Sequence, residues 1–193
     1  VQPTVIITDM LMPVMDGQKF CRELKSLPST SHIPVILLTN QPYEEGQFAG
    51  YGAGADIYLT KPARKELLFQ VTYNFLRTQE KIHQQILKSG NYFPEDVAVN
   101  KVDEDFLNQV VTIIEKNLSD PGLDHKLICE ETALSRTVLY AKMKTLTGQG
   151  VHEFIRAIRL KKSLVLLREK KLNITQIAHE IGFNSVSYFN RCF

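Results

Sequence analysis

Over roughly the first ninety residues, short apolar runs alternate with stretches of helical periodicity. Thr4-Val5-Ile6-Ile7-Thr8, Val35-Ile36-Leu37-Leu38-Thr39 and Ile57-Tyr58-Leu59-Thr60 are rich in β-branched and aromatic residues. Their near-continuous apolarity predicts strands buried on both faces, hence a parallel sheet assembled from βα units. Residues 16–26 and about 65–87 carry helical spacing, as does a shorter stretch near 44–52. Ser89-Gly90-Asn91-Tyr92-Phe93-Pro94 breaks the pattern and reads as the start of a linker.

From Asp103 onward no strand pattern recurs. Phe106, Leu107, Val110, Val111, Ile114 and Leu118 follow helical spacing until Asp120-Pro121-Gly122. Helices are predicted over roughly 124–132, 135–147, 151–169, 173–181 and from 185 to the end. Ser135 is placed as an N-cap, and Asn173 with Gln176 forms a capping-box pattern. Gly148 and Gly182 stand where a helix must end or turn sharply. Two short helix pairs joined by a longer helix make a duplicated helix-turn-helix layout.

Composition narrows the class. With 193 residues, 44% hydrophobic and 23% charged, the chain has the balance of a globular protein. No apolar run approaches the length of a membrane span, and no secretory signal pattern is present. Cys21, Cys129 and Cys192 are odd in number and far apart, which argues for a reducing compartment over a disulfide framework. The first residue is Val1, which suggests a longer parent or processing.

Charge is distributed unevenly. Residues 1–100 carry 9 basic and 10 acidic side chains, and residues 101–135 carry 3 and 8. Residues 136–193 carry 11 basic against 3 acidic, a net of +8. A segment this basic is the footprint of a polyanion-binding surface or a solvated cationic face. Charge alone leaves both open.

Asp9 follows the first apolar run, Thr39 ends the second and Lys61 follows the third. In a parallel sheet all three collect at the carboxyl edge, where ligands and chemistry gather. A carboxylate, a hydroxyl and an ammonium suit an aspartyl phosphate, but an ordinary strand-end ion pair is common and is the reading these three residues alone favour. Three motifs separate the two. Asp9-Met10-Leu11-Met12-Pro13-Val14-Met15-Asp16-Gly17, Ile33-Pro34-Val35-Ile36-Leu37-Leu38-Thr39 and Gly52-Ala53-Gly54-Ala55-Asp56-Ile57-Tyr58-Leu59-Thr60-Lys61-Pro62 occur in order. Together they resemble the receiver domain of two-component response regulators, a CheY-like, flavodoxin-like parallel sheet.

The resemblance implies that Asp9 is the phosphoacceptor, Thr39 the switch hydroxyl, Tyr58 the switch aromatic and Lys61 the phosphate-contacting cation. It places Mg²⁺ on Asp9 and the Leu11 carbonyl, and a cis bond before Pro62. It also implies that residues 1–88 form a partial receiver lacking its first two strands and their acidic metal ligands. Mg²⁺ demands more oxygen ligands than Asp9 and one carbonyl supply. The metal is therefore expected in the intact parent and not in this chain, which should accept phosphoryl groups poorly by itself. Residues 4–8 are left as an unpaired apolar edge. Ala63 and Asn40 depart from the family pattern, which often has an aromatic and a small residue there.

Residues 103–193, after a linker over 89–102, resemble the all-α double helix-turn-helix domain of AraC-type regulators. The resemblance rests on Leu134-Ser135-Arg136-Thr137-Val138-Leu139-Tyr140, Leu146-Thr147-Gly148, Glu153-Phe154-Ile155-Arg156 through Arg159-Leu160, and Asn173-Ile174-Thr175-Gln176-Ile177-Ala178 with Ile181-Gly182-Phe183 and Ser187-Tyr188-Phe189-Asn190-Arg191-Cys192-Phe193. A joining helix of about 18 residues spans about 27 Å. The helix pairs at its ends can then reach major grooves about 34 Å apart.

The first pair is expected to present Arg136, Thr137, Tyr140 and Lys144, with Val138, Leu139, Met143 and Leu146 inward. The second is expected to present Ser185, Val186, Ser187 and Asn190, with Arg191 near phosphates. Arg136 and Asn190 suit bidentate base contacts, while Lys142 and Lys144 suit phosphates. Arg156, Arg159 and Lys162 read as a solvated stripe, and Tyr188 and Phe189 as core. Thr132-Ala133 replaces the family's usual glycine-containing turn, and the family's closing helix is missing, so the domain is expected to be C-terminally truncated.

His32, His83, His125, His152 and His179 have no metal-ligand spacing, and no nucleotide-binding glycine loop occurs. The chain is therefore not expected to be an enzyme itself, although a parent can carry a histidine kinase upstream. The leading expectation is a phosphorylation-controlled transcription regulator that binds double-stranded promoter DNA. The alternative is the C-terminal portion of a hybrid sensor histidine kinase, and a third reading is an interaction module without DNA. The implied partners are a histidine kinase phosphodonor and a second copy in a homodimer, with no membrane contact. The implied location is cytoplasmic, with inner-membrane anchoring of the parent if it is a hybrid sensor. The helix over 65–87 is the expected coupling element.

Overall fold

The computed structural model describes residues 3–40, 54–89 and 100–193, of which 82–89 by backbone only. The expected helix near 44–52 and most of the expected linker lie outside the described residues. The chain divides into two compact units, Val1–Glu104 and Asp105–Phe193.

The first unit contains β1 (Ile6–Asp9), α1 (Gly17–Ser26), β2 (Val35–Thr39), β3 (Ile57–Thr60) and α2 (Lys65–Ser89). The strands form one parallel sheet in the order β1-β2-β3. Its register pairs Asp9 with Leu38 and Thr39 with Thr60, so the strand ends that carry the predicted chemistry fall together. β2 is central and almost wholly buried, which explains its unbroken apolar run. β1 pairs with β2 on one side and leaves Ile7 43% exposed, as an edge strand does.

The opposite end of the sheet is fastened by a buried ion pair, Lys25 Nζ to Asp56 Oδ2 at 2.8 Å. Asp56 also accepts from the Val35 amide at 2.7 Å, and Lys25 donates to the carbonyls of Ser31 and Ile33. Both charges therefore have further hydrogen bonds, the condition under which a buried pair is tolerated. Cys21 of α1 seals the core against Met10, Val35 and Leu37. Gly17 permits this close approach, because a Cβ there would lie 2.2 Å from the Asp9 carbonyl oxygen.

The second unit is helical: α3 (Lys101–Lys116, whose first turn belongs to the first unit), α4 (His125–Thr132), α5 (Arg136–Thr147), α6 (Val151–Glu169), α7 (Ile174–Glu180) and α8 (Val186–Cys192). α4 packs on α5 and α7 on α8, while α6 touches both α5 and α7. The 19 residues of α6 give a rod of about 28 Å. Leu107, Val110 and Ile114 of α3 are buried at helical spacing, as are Leu139, Met143 and Leu146 of α5. A separate cluster of Ile177, Ala178, Ile181, Phe183 and Phe189 holds the second helix pair. Among the described residues no helix is long and apolar enough to cross a membrane.

The caps follow the sequence closely. Ser135 accepts from the Val138 amide, and Asn173 and Gln176 close a reciprocal box. Gly148 and Gly182 adopt φ of 70° and 77°. The first turn differs: Ala133 takes the left-handed conformation, φ 54° and ψ 27°, where a glycine would be unstrained. The α4–α5 turn therefore keeps a helix-ending geometry despite the missing glycine, at a cost of about 1 kcal/mol.

Two substitutions should act in opposite directions on urea unfolding followed by circular dichroism. Gly182→Ala should destabilise the helical unit by about 1–3 kcal/mol, because its Cβ would meet the Leu118 carbonyl oxygen at 2.4 Å in a left-handed backbone. Ala133→Gly should be neutral or stabilising, by up to about 1 kcal/mol.

Candidate functional site

Asp9 is the last residue of β1, and its carboxylate meets the Lys61 ammonium, which arrives from the end of β3. Lys61 is positioned through its backbone, whose amide donates to the Thr39 carbonyl at 2.7 Å, and the peptide to Pro62 that follows is cis. The other Asp9 oxygen accepts from the Leu11 amide at 3.3 Å. The Lys61 hydrogen bond holds the Asp9 carboxyl below the ordinary aspartate range; partial burial opposes it, and the Leu11 amide adds to the lowering.

Thr39 is buried at the end of β2, and its hydroxyl donates to Met10 Sδ at 3.2 Å. Tyr58 is half-buried on β3 and packs against the core formed by Met10, Cys21, Val35 and Leu37. Burial pushes its phenol above the usual tyrosine range. The loop after Asp9 is tight. The Met15 amide bonds the Pro13 carbonyl across Val14, which takes φ 73° and is wholly exposed. A β-branched residue at positive φ is strained by about 1–3 kcal/mol. Asp16 is occupied as the N-cap of α1, accepting from the Lys19 amide at 2.7 Å.

Receiver-type chemistry ordinarily uses Mg²⁺, and the donor set here does not fit one. Asp9 has one oxygen on Lys61 and the other on the Leu11 amide. Among the described residues, no group of three His, Cys, Asp or Glu side chains is placed to hold a metal ion. Asp9 and the Leu11 carbonyl alone fall short of an octahedral oxygen shell.

In the helical unit, Arg136 and Thr137 are exposed in the first turn of α5. The Arg136 guanidinium lies 5.5 Å from the Tyr140 ring centre, and Tyr140 meets His125 edge-on. Lys144 is exposed and donates to the Gly148 carbonyl at 2.7 Å, capping its own helix. Lys142 requires a correction. It is fully buried, with Nζ 4.8 Å from the Phe106 ring centre, so it is not placed to meet a phosphate. Its spacing with Leu139, Met143 and Leu146 puts it on the inward face of α5.

On α8, Ser185 caps the helix, and Ser187, Asn190 and Arg191 are exposed. Val186 is also corrected, since it is half-buried against the second core. Phe189 is buried as expected, whereas Tyr188 is 42% exposed and its hydroxyl accepts from Arg156 at 3.1 Å. Arg159 is not on a solvated stripe: it is buried and donates to the Asp120 carbonyl. Arg156 is partly exposed and Lys162 fully so.

Comparison with known proteins agrees with both units. Residues 1–73 match the response regulator receiver domain, and residues 128–193 match a helix-turn-helix domain. The chain carries a receiver followed by an AraC-type helix-turn-helix domain. Histidine kinase P4 of Formosa agariphila is 35% identical over 192 residues, 99% of this chain and 14% of that protein. Response regulator PleD of Caulobacter vibrioides is 43% identical over 67 residues, 35% of this chain and 15% of PleD. The phosphate regulon regulatory protein PhoB of Rhizobium meliloti is 31% identical over 90 residues, 46% of this chain and 40% of PhoB. The receiver domain of a signal transduction histidine kinase from Syntrophus aciditrophicus is 38% identical, with a TM-score of 0.37 over 40% of this chain and 59% of that one. The chain thus spans well under half the length of these curated relatives. Neither the receiver nor the helix-turn-helix domain is catalytic by itself.

The Asp9–Lys61 pair sets two expectations. Carbonyl-carbon NMR should place the Asp9 midpoint below the 3.8 of an unperturbed aspartate, and Lys61→Met should raise it. Because the folded value is depressed, the pair's contribution to stability is present above the unfolded value. It is lost as pH falls through the folded one. With acetyl phosphate and Mg²⁺, intact mass should show little phosphoryl addition to this chain; stoichiometric addition would contradict the donor count.

Proposed function

We propose that this chain is the C-terminal regulator portion of a hybrid sensor histidine kinase. In that protein, phosphoryl transfer to Asp9 controls sequence-specific binding of promoter DNA by the helical unit. The observation that carries this reading is the continuity of the similarity to histidine kinase P4. It runs across both units for 99% of the chain and takes up only 14% of that protein. The free-standing response regulator, the leading expectation from sequence, has weaker support, because PleD and PhoB align with less than half of the chain.

In the phosphorylation step, a carboxylate oxygen of Asp9 attacks the phosphorus of a phosphohistidine. The N–P bond breaks, its electron pair returns to the ring nitrogen, and the imidazole, protonated on its other nitrogen, leaves neutral. Lys61, already against the carboxylate, moves its charge toward the phosphoryl oxygens. Thr39 and Tyr58 then respond, and α2, which follows the switch strand, couples the change to dimerisation or DNA binding.

On DNA, Arg136 and Asn190 take base-edge contacts, with Thr137, Tyr140, Ser185 and Ser187 beside them. Lys144 and Arg191 take phosphates. The net +8 of residues 136–193 supports a polyanion partner. DNA binding in turn supports a cytoplasmic location for this part of the protein.

Binding to selected and random duplexes, repeated across salt, tests the reading. Arg136→Ala should relax sequence preference by about 1–3 kcal/mol, and Lys144→Ala should weaken all duplexes alike and reduce the salt slope by about 1. Lys142→Ala should leave the salt slope unchanged and destabilise the fold by about 2–5 kcal/mol, as for other long buried side chains. No retardation at low salt would leave the interaction-module reading standing.

A further inference from the structure

The second unit carries a half-open cavity of about 390 Å³ between α6 and the start of α8, a volume in the range of small-ligand sites. Arg156 and Arg159 line it from α6, Ser185 and Tyr188 from α8, and Leu123 and Phe183 give it apolar wall. None of the lining residues is acidic.

Arg159 is the telling group. Only 9% of it is exposed. One end of its guanidinium donates to the Asp120 carbonyl, while Nε is buried with no hydrogen-bond partner. Gly182 leaves room for this guanidinium, since a Cβ there would come within 2.7 Å of Nη2. A backbone carbonyl carries no full charge, so the cation sits buried without a bonded anion, an arrangement that costs free energy until an anion arrives. Burial pulls Arg159 below the usual arginine range, and the Asp120 charge opposes this. A purely structural arginine would have its donors satisfied by carbonyls and carboxylates. Arg156, beside it, spends one N–H on Tyr188 and keeps others of its five for a ligand.

We propose that this cavity binds a single phosphate group, held by Arg159 and Arg156 with the Ser185 hydroxyl alongside. Two sources share that chemistry. A backbone phosphate of a duplex lying on α8 is one, and it rests on the DNA reading above. A free phosphate is the other, and it does not.

The test is nitrogen-15 NMR of the arginine side chains in the full chain, titrated with inorganic phosphate and, as control, with chloride at matched ionic strength. The Arg159 and Arg156 Nε–H signals should shift saturably with phosphate alone. Arg156→Gln, on the open side of the cavity, should weaken that binding about tenfold or more with an unchanged melting curve. If a bound duplex itself moves the Arg159 signal and abolishes the response to phosphate, DNA is the source. If the response persists beside bound duplex, free phosphate is the source. Phosphate binding without any duplex binding would sink the DNA reading and keep the cavity. An Arg159 signal that moves with neither phosphate nor bound duplex, moves equally with chloride, or responds identically in Arg156→Gln would overturn the proposal.

Discussion

The helical unit depends on the inward face of α6. Val151, Phe154, Ile155, Arg159 and Ser163 are buried along this one helix, at spacings that keep them on a single side. The helix packs against α5 and α7, so the placement of both helix pairs derives from this rod. Short helices of seven or eight residues are marginal in water and persist only when packing holds them. α4, α7 and α8 are in that position. Capping by Asp124, Asn173 and Ser185 removes unsatisfied amides at their starts, and the buried clusters supply the rest.

The receiver is organised by a different constraint. Parallel strands bring side chains from distant positions to one edge, so Asp9 and Lys61 meet although 52 residues separate them. The approach of α1 to the strand end depends on Gly17, and the turn before it carries strain at Val14. A loop held this tightly fixes the main chain around Asp9 while leaving its carboxylate within reach of solvent. Chemistry at Asp9 has to change the partnership with Lys61, because a phosphoryl group adds negative charge where the ammonium now sits.

Most of this architecture was legible in the sequence, because strands buried on both faces write continuous apolar runs and caps write local polar signatures. The three strands, the length of α6 and the caps at Ser135 and Asn173 are of this kind. What the sequence concealed were charged and aromatic side chains whose type contradicts their position. Lys142 and Arg159 occupy inward helical positions, and their spacing with apolar neighbours gives that away once charge is set aside. One rests its ammonium against Phe106 and the other reaches the Asp120 carbonyl. Tyr188 shows the reverse, an amphipathic ring drawn outward by Arg156. Val186 sits inward because the first turn of α8 presses on Ile177 and its neighbours, a tertiary contact that local pattern does not encode. Ala133 carries the left-handed turn that a glycine ordinarily marks, so the turn was expected there while its left-handed geometry had no sequence signal.

The central claim is that two helix pairs on one rod read two neighbouring turns of a duplex. Hydroxyl-radical footprinting of the chain on its preferred duplex measures this directly. The account predicts two protected patches on one face of the DNA, about 10 base pairs apart. A single patch, protection spread around the helix, or no protection at low salt would contradict it.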